Sequence, residues 1–282
     1  MYVLGVVGPS NSGKTTLVER LVERLDERAT VGTVKHIDCE PTLDTEGKDT
    51  HRHRQAGAVR THGITDDEWF ATGESRDLDS ILSELSRTCE YAIVEGYREL
   101  DLPKVVLEDG EDAWESDPTE EGTVLLRAPT ADAVDVEAVI TSLEETEPYE
   151  TLPSLVEQVK ASPDADRAGA IATFTGRVRA RDHPDDDPTE FLEFERYDGV
   201  AQQRMERIRE ELQSRDGVYE VLLHHRTGVV EAGEDIVFVV VLAGHRDEAF
   251  RTVEDGINRL KDEVPLFKKE VTVSETFWAH ER

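Results

Sequence analysis

Residues Gly8-Pro9-Ser10-Asn11-Ser12-Gly13-Lys14-Thr15, followed by Thr16, set two glycines, a lysine and hydroxyls at the GxxxxGK[ST] spacing. The glycines let the backbone curl until its N–H groups face phosphates, while Lys14 and the start of a following helix add positive charge. Thr15 is placed to hold Mg²⁺, and Gly8, Asn11, Ser12, Gly13, Lys14, Thr15 and Thr16 form a nucleotide-binding candidate. A second polar group, Glu95, ends the apolar run Tyr91 to Val94 and is followed by Gly96. At the carboxyl edge of a strand, where doubly wound sheets present ligands, it would orient Mg²⁺ or a water; the plainer alternative is a solvated strand-end acid. Lys35-His36 and the run Gly47-Lys48-Asp49-Thr50-His51-Arg52-His53-Arg54 add basic groups that suggest a further anion. His36, Cys39, His51 and His53 fit no closed zinc spacing, and His51 and His53 read as exposed positions on a helix's first turn. The Asn-Lys-x-Asp element that selects guanine in many GTPases is missing, so the residues leave the base open.

The second concentration of chemistry lies near the end. Three of eight lysines, Lys261, Lys268 and Lys269, fall within nine residues around Pro265. If Pro265 ends a helix, Lys261 occupies its last turns and Lys268 opens the next strand, so both can face one pocket. Crowded ammonium groups lower each other's pKa, which makes a neutral, nucleophilic lysine accessible. For Lys269 the plainer reading, favourable charge near a helix C-terminus, is preferred. His245-Arg246 after the run Ile236 to Leu242 puts two cationic groups at a strand-to-helix junction, a good anion position. Arg177 and Arg179 leave the strand holding Phe174-Thr175-Gly176, where glycine lets a ligand approach. His224 and His225 alternate across a strand, so only one can face a pocket, and they read as structural.

These groups need scaffolds, and the pattern supplies two. Strand candidates at Tyr2 to Val7, Val31 to Lys35, Glu68 to Ala71, Tyr91 to Val94, Lys104 to Leu107 and Thr123 to Arg127 alternate with helical stripes. Leu17, Leu21 and Leu25 form one stripe, and Leu78, Ile81, Leu82 and Leu85 another. This is an α/β rhythm with a mostly parallel sheet. The apolar pattern lapses between Ser142 and Thr151, which sets a domain boundary near Pro148 and domains of 1–147 and 148–282. Beyond it follow a helix from Leu152 to Lys160, a strand from Gly169 to Arg179 and a mobile loop from Arg181 to Thr189. Next come a strand from Phe191 to Tyr197, a helix from Ala201 to Arg215 and strands over Val218 to Val230 and Asp235 to Leu242. A helix from Asp247 to Val264 and a strand from Phe267 to Phe277 close the series. Residues 231–234, Glu-Ala-Gly-Glu, suggest a hairpin, so this half reads as α+β with antiparallel pairing.

Composition narrows the partners. A net charge of −31, from 63 acidic and 32 basic residues, argues against nucleic acid and anionic membranes as partners of the general surface. Acid spread along the whole chain, with only 8 lysines, suggests adaptation to high salt. Two cysteines, Cys39 and Cys89, suit a reducing cytosol, and no signal peptide or membrane-length apolar run is present.

The stretches Gly8 to Thr16, Val34-Lys35-His36, Gly47 to Thr50 with Arg54-Gln-Ala-Gly-Ala, and Val94 to Tyr97 resemble the molybdopterin-guanine dinucleotide biosynthesis adapter family, MobB. That resemblance implies Mg²⁺ with GTP, weak hydrolysis at most, and assistance to the guanylyltransferase that attaches GMP to molybdopterin. Phe174 to Arg179, Gly244-His245-Arg246, Leu260-Lys261 and Val264 to Glu270 are similar to the catalytic large subunit of molybdopterin synthase, MoaE. In that family, sulfur passes from the C-terminal thiocarboxylate of a ubiquitin-like, MoaD-like carrier to cyclic pyranopterin monophosphate, giving molybdopterin. Carried over by position, Lys261 and Lys268 match the catalytic lysines, and Arg179, His245 and Arg246 would bind the substrate's phosphate. Phe174 and Arg282 join the implied substrate-binding set, and a homodimer through this half is implied. No tightly bound cofactor is expected there. Phe267 and Ile257 depart from the usual Trp and Met but keep apolar bulk. The rivals are a P-loop kinase or nucleotidase, and a nucleotide-gated binding protein whose lysines only dock an acidic partner.

Overall fold

The computed structural model describes residues 1–37, 46–97, 101–109, 122–181, 183–184, 186–196, 199–273 and 276–279. Cys39 and Arg282 lie outside the described residues, as do 182 and 185 of the expected mobile loop. Two compact units are present, Met1–Tyr149 and Glu150–Arg282. Among the described residues, no helix is long and apolar enough to cross a membrane.

The first unit runs β1 (Tyr2–Val7), α1 (Lys14–Asp26), β2 (Val31–Lys35), α2 (Asp49–Gln55), β3 (Arg60–Ile64), β4 (Trp69–Gly73), α3 (Leu78–Leu85), β5 (Tyr91–Glu95), β6 (Lys104–Leu107), β7 (Val124–Ala128) and α4 (Val136–Glu144). Five strands form a sheet in the order β2-β5-β1-β6-β7, and every pair in it is parallel. Such strands are covered on both faces, which is why they read as apolar runs rather than alternations. Leu17, Leu21 and Leu25 of α1, all fully buried, pack with Leu4, Val6, Ile93, Val105 and Leu107 on one face. Leu78 and Leu82 of α3 pack with Val3, Val34, Ala92 and Val94 on the other. Asp77 caps α3 by accepting from Ser80 N.

The strand expected at Glu68 to Ala71 does not join this sheet. Here β4 pairs antiparallel with β3, Ile64 opposite Trp69, in a separate two-stranded ribbon. Sequence reasoning missed β3 because Arg-Thr-His-Gly-Ile carries no apolar run. Its turn is set by Thr65, whose Oγ1 accepts from Asp67 N and Glu68 N.

The second unit runs α5 (Leu152–Lys160), β8 (Ala170–Arg177), β9 (Thr189–Arg196), α6 (Val200–Gln213), β10 (Val218–His225), β11 (Gly228–Glu231), β12 (Asp235–Ala243), α7 (Arg246–Glu263), β13 (Leu266–Thr272) and β14 (Thr276–Ala279). Two antiparallel sheets result, ordered β10-β12-β8 and β11-β9-β13-β14. The central strand β12 is buried on both faces. Leu155 and Val159 of α5 pack with Phe238, Val240 and Leu242. Ile208 and Leu212 of α6 and Val253, Ile257 and Leu260 of α7 pack with Val237, Val239 and Val241. α5 starts on a capping box in which Thr151 and Ser154 satisfy each other's backbone N–H.

Two sequence expectations are corrected here. Residues 231–234 do not form a hairpin, because β11 pairs with β9 in one sheet while β12 pairs with β8 and β10 in the other. The chain crosses between sheets through Gly228 and Gly233, whose φ values of 74° and 94° only glycine adopts readily. The strand expected from Phe267 to Phe277 is two strands, β13 and β14, folded back so that Lys268 faces Ala279.

Candidate functional site

In the first unit, β1 carries the chain to the carboxyl edge of the sheet and α1 leads away from it. A β-carbon on Gly8 would lie 2.5 Å from Ser12 Oγ and 3.0 Å from the Leu107 carbonyl oxygen, so only glycine fits without displacement. Gly13 and Asn11 take left-handed φ values of 92° and 61°, which glycine and asparagine tolerate best. Lys14 Nζ donates to the carbonyls of Gly8, at 2.9 Å, and Pro9, at 2.5 Å, and braces the loop from within. Thr15 and Thr16 are exposed on the first turn of α1. Ser12 Oγ is buried without a hydrogen-bond partner among the described residues. An orphaned hydroxyl in a loop of this shape is satisfied when a ligand supplies the missing partner, so these residues fit a bound phosphate.

Glu95 is not a solvated strand-end acid: it is 7% exposed. β5 lies between β1 and β2, with Glu95 in register with Val6 and Lys35. Its Oε1 accepts from Thr15 Oγ1 at 2.9 Å and pairs with Lys35 Nζ at 2.8 Å. Hydroxyl and carboxylate thus meet as two oxygens of the kind that hold Mg²⁺ when phosphates and waters complete the shell. In the sequence Lys35 reads only as a basic group, and its reach to Glu95 depends on strand order that no local pattern reveals. Among the described residues, no cluster of three or more His, Cys, Asp or Glu forms a metal site. His36 instead contacts the Tyr97 ring, with centroids 4.7 Å apart, where Gly96 and Tyr97 both take positive φ. His51 lies on α2 and accepts from Gly47 N through Nδ1.

In the second unit, α7 ends at Glu263 and β13 begins at Leu266, so Lys261 sits in the last turn and Lys268 in the strand. Lys261 is exposed and Lys268 partly buried. Among the described residues, neither ammonium makes an ion pair or hydrogen bond. Lys269, on the opposite face of β13, pairs with Glu193 at 2.7 Å. Its counter-charge is therefore a cross-strand carboxylate rather than a helix terminus, because β9 and β13 are antiparallel neighbours. Lys268 is directly opposite Phe194, whose ring meets buried His225 edge-on at 4.9 Å. His225 Nδ1 bonds the Arg226 carbonyl at 2.7 Å, and His224 stacks on Phe238.

The end of α7 that carries Lys261 is clamped to α6. Arg259 bonds Glu263 and Glu211, each at 2.6 Å, and Arg207 bonds Glu263 at 2.6 Å. Hydrogen bonds from Arg259, and then from Arg207, pull the Glu263 carboxyl down to about 2. The same bond to Glu263 pushes the Arg259 guanidinium further above its ordinary range. At the other end of α7, His245 is the exposed N-cap residue and Arg246 the exposed first helical residue. Arg246 Nε lies 3.3 Å from Asp247, so an anion docking there competes with a neighbouring carboxylate. Arg179 is exposed just beyond β8, whereas Arg177 is tied to Asp235 and the Gly233 carbonyl. Phe174 is opposite Val239 and packs on the core, which makes it a wall of the site at most.

The MoaE protein family matches residues 146–263, and the family of molybdopterin guanine dinucleotide synthesis protein B, MobB, matches residues 3–125. Over 283 aligned residues, covering 100% of both chains, this one is 52% identical to the "Probable molybdopterin synthase" of Haloferax volcanii. It is 38% identical over 123 residues to the molybdopterin synthase catalytic subunit of Pyrococcus abyssi, covering 44% of this chain and 82% of that one. Over 120 residues it is 37% identical to the putative molybdopterin-guanine dinucleotide biosynthesis adapter protein of Methanocaldococcus jannaschii, covering 40% of this chain and 50% of that one.

Proposed function

The chain belongs to the molybdopterin synthase family and joins a MoaE-type unit to a MobB-type one, and from that premise we propose that it performs two steps of molybdenum cofactor biosynthesis in the cytosol. The second unit, taken from about residue 148, transfers sulfur from a thiocarboxylated, MoaD-like carrier to cyclic pyranopterin monophosphate. A dithiolene holds two sulfurs, so two carriers are consumed for each molybdopterin formed. Arg179, His245 and Arg246 hold the substrate's phosphate through charge-assisted hydrogen bonds, with Phe174 and Arg282 completing the substrate set. Lys261 holds the carrier's acyl end or protonates the leaving group, and Lys268 assists proton transfer.

One observation carries this reading. In a chain of net charge −31, Lys261 and Lys268 are without a counter-ion among the described residues while adjacent Lys269 has one. Acid is abundant in this chain, and unneutralised ammonium groups suit an incoming carboxylate-like tail and a phosphate-bearing substrate.

The first unit binds GTP through Gly8, Asn11, Ser12, Gly13, Lys14, Thr15 and Thr16, with Thr15 and Glu95 holding Mg²⁺, and assists the guanylyltransferase with weak hydrolysis at most. When bound, the metal would neutralise phosphate charge; Lys14 and the α1 amides orient the same group. The test is fluorescent-nucleotide binding in molar KCl together with molybdopterin formation from purified carrier and substrate. GTP affinity abolished by Lys14→Ala, and product formed by the intact chain, are expected. Absence of both would overturn the reading, and a monomeric mass by light scattering would overturn the homodimer proposed through the second unit.

A further inference from the structure

Glu95 Oε1 is shared by donors from two different elements. Thr15 Oγ1 of α1 lies 2.9 Å away and Lys35 Nζ of β2 lies 2.8 Å away. Lys35 Nζ is also 3.3 Å from Thr15 Oγ1, so ammonium, hydroxyl and carboxylate close a triangle. Lys14, the lysine of the loop itself, turns its ammonium to the Gly8 and Pro9 carbonyls. The Glu95 side chain is 9% exposed and that of Lys35 52%. A carboxylate so buried needs a compensating cation, and an ammonium on an open, flexible stem can be withdrawn at little steric cost.

The separation of the two oxygens is informative. Two ligands at right angles on an octahedral Mg²⁺, each about 2.0–2.1 Å from it, stand about 2.9 Å apart. Thr15 Oγ1 and Glu95 Oε1 are already at 2.9 Å, with the Lys35 ammonium against both. A divalent ion and an ammonium cannot both occupy that position.

We propose that Lys35 is a resident cation at the Thr15–Glu95 edge, exchanged for the divalent metal when metal and nucleotide bind, so that it sets how strongly nucleotide binding depends on metal. The proposal rests on the reading of this unit as a magnesium–nucleotide site. Without metal, Lys35 keeps Glu95 neutralised, and the buried carboxylate does not repel the phosphates. With metal, the freed ammonium is available to the nucleotide's own charge. Lys35 is a positioning residue in this scheme.

The experiment uses the full chain in molar KCl, with Mn²⁺ alone as the first probe, free ion being counted by electron paramagnetic resonance. Lys35→Met should bind Mn²⁺ about tenfold more tightly than wild type, since the competing charge is gone, and Lys35→Arg should remain close to wild type. Lys35→Gln, which keeps a neutral donor for Glu95, is the second variant and should follow Lys35→Met. Thr15→Ala should lose the gain when combined with Lys35→Met. A second arm measures fluorescent GTP with and without Mg²⁺, and the ratio of the two affinities should be about tenfold larger in Lys35→Met than in wild type.

Folded neutral variants that bind Mn²⁺ no more tightly than wild type would overturn the exchange. So would failure of both neutral variants to fold while Lys35→Arg folds, because Lys35 would then belong to the framework. A wild type that binds no GTP in either condition would sink the nucleotide reading, while the Mn²⁺ comparison would still decide the exchange.

Discussion

Gly8→Ala puts one methyl group into the tightest point of the phosphate loop. The new β-carbon would meet Ser12 Oγ at 2.5 Å, the Leu107 carbonyl oxygen at 3.0 Å and Leu107 Cβ at 3.1 Å. Rotation of Ser12 about χ1 can relieve the first contact. The other two involve the backbone and Cβ of β6, which is buried in the sheet, so they persist unless β1 and β6 separate. Overpacking of this kind costs about 1–3 kcal/mol. Alanine recovers about 0.4–1 kcal/mol by restricting the unfolded chain, since no left-handed φ opposes it at this position. The midpoints of these ranges leave a net loss of about 1.3 kcal/mol, with about 2.6 as the upper bound, which for a unit of this size lowers Tm by about 3–5 °C. Differential scanning calorimetry of the full chain would resolve the transition of the first unit, and GTP affinity measured alongside should fall. An alanine variant with unchanged or raised Tm and full affinity would refute the reasoning, because it would mean the loop does not approach Leu107 as described.

Other expectations concern the framework of both units. Leu21→Ala removes a fully buried side chain from the α1 stripe and should cost about 2–5 kcal/mol in denaturant unfolding. The Glu263 carboxyl is lowered to about 2 in the folded chain, so the stability it contributes is present above its ordinary value of 4.5 and is lost as pH falls from there through about 2. Glu263→Gln should therefore flatten the pH dependence of unfolding across that window; an unchanged profile would mean the clamp does not hold α7. Lys269→Met breaks a pair whose side chains are each 31% exposed, worth about 0–1 kcal/mol, and should leave product formation within about twofold of wild type.

Legibility followed the range of the interactions. The leucine stripe of α1 and the apolar runs of β1, β5 and β6 announce themselves because burial on both faces dictates residue type locally. The phosphate loop was readable for the same reason, its spacing being a local backbone requirement. Pairing was not: β3 is polar, and β11 lies in one sheet while its chain neighbour β12 lies in the other. Residue content could not show Lys35 beside Glu95, since the contact arises from β5 lying between β1 and β2. The lysine cluster was visible as a count and Lys269 could be set apart as a structural charge, but that its partner is Glu193 rather than a helix terminus needed the β9–β13 register.

The central claim, sulfur transfer dependent on two lysines, is tested most directly by single-turnover formation of molybdopterin from cyclic pyranopterin monophosphate and thiocarboxylated carrier in molar KCl. Wild type, Lys261→Ala, Lys268→Ala and Lys269→Met would be compared at equal folded concentration. The account predicts product from wild type and Lys269→Met, with at least about a hundredfold loss in Lys261→Ala and Lys268→Ala, in line with removal of acid–base or nucleophilic groups. No product from a folded, carrier-binding wild type, or equal rates in all four proteins, would contradict it.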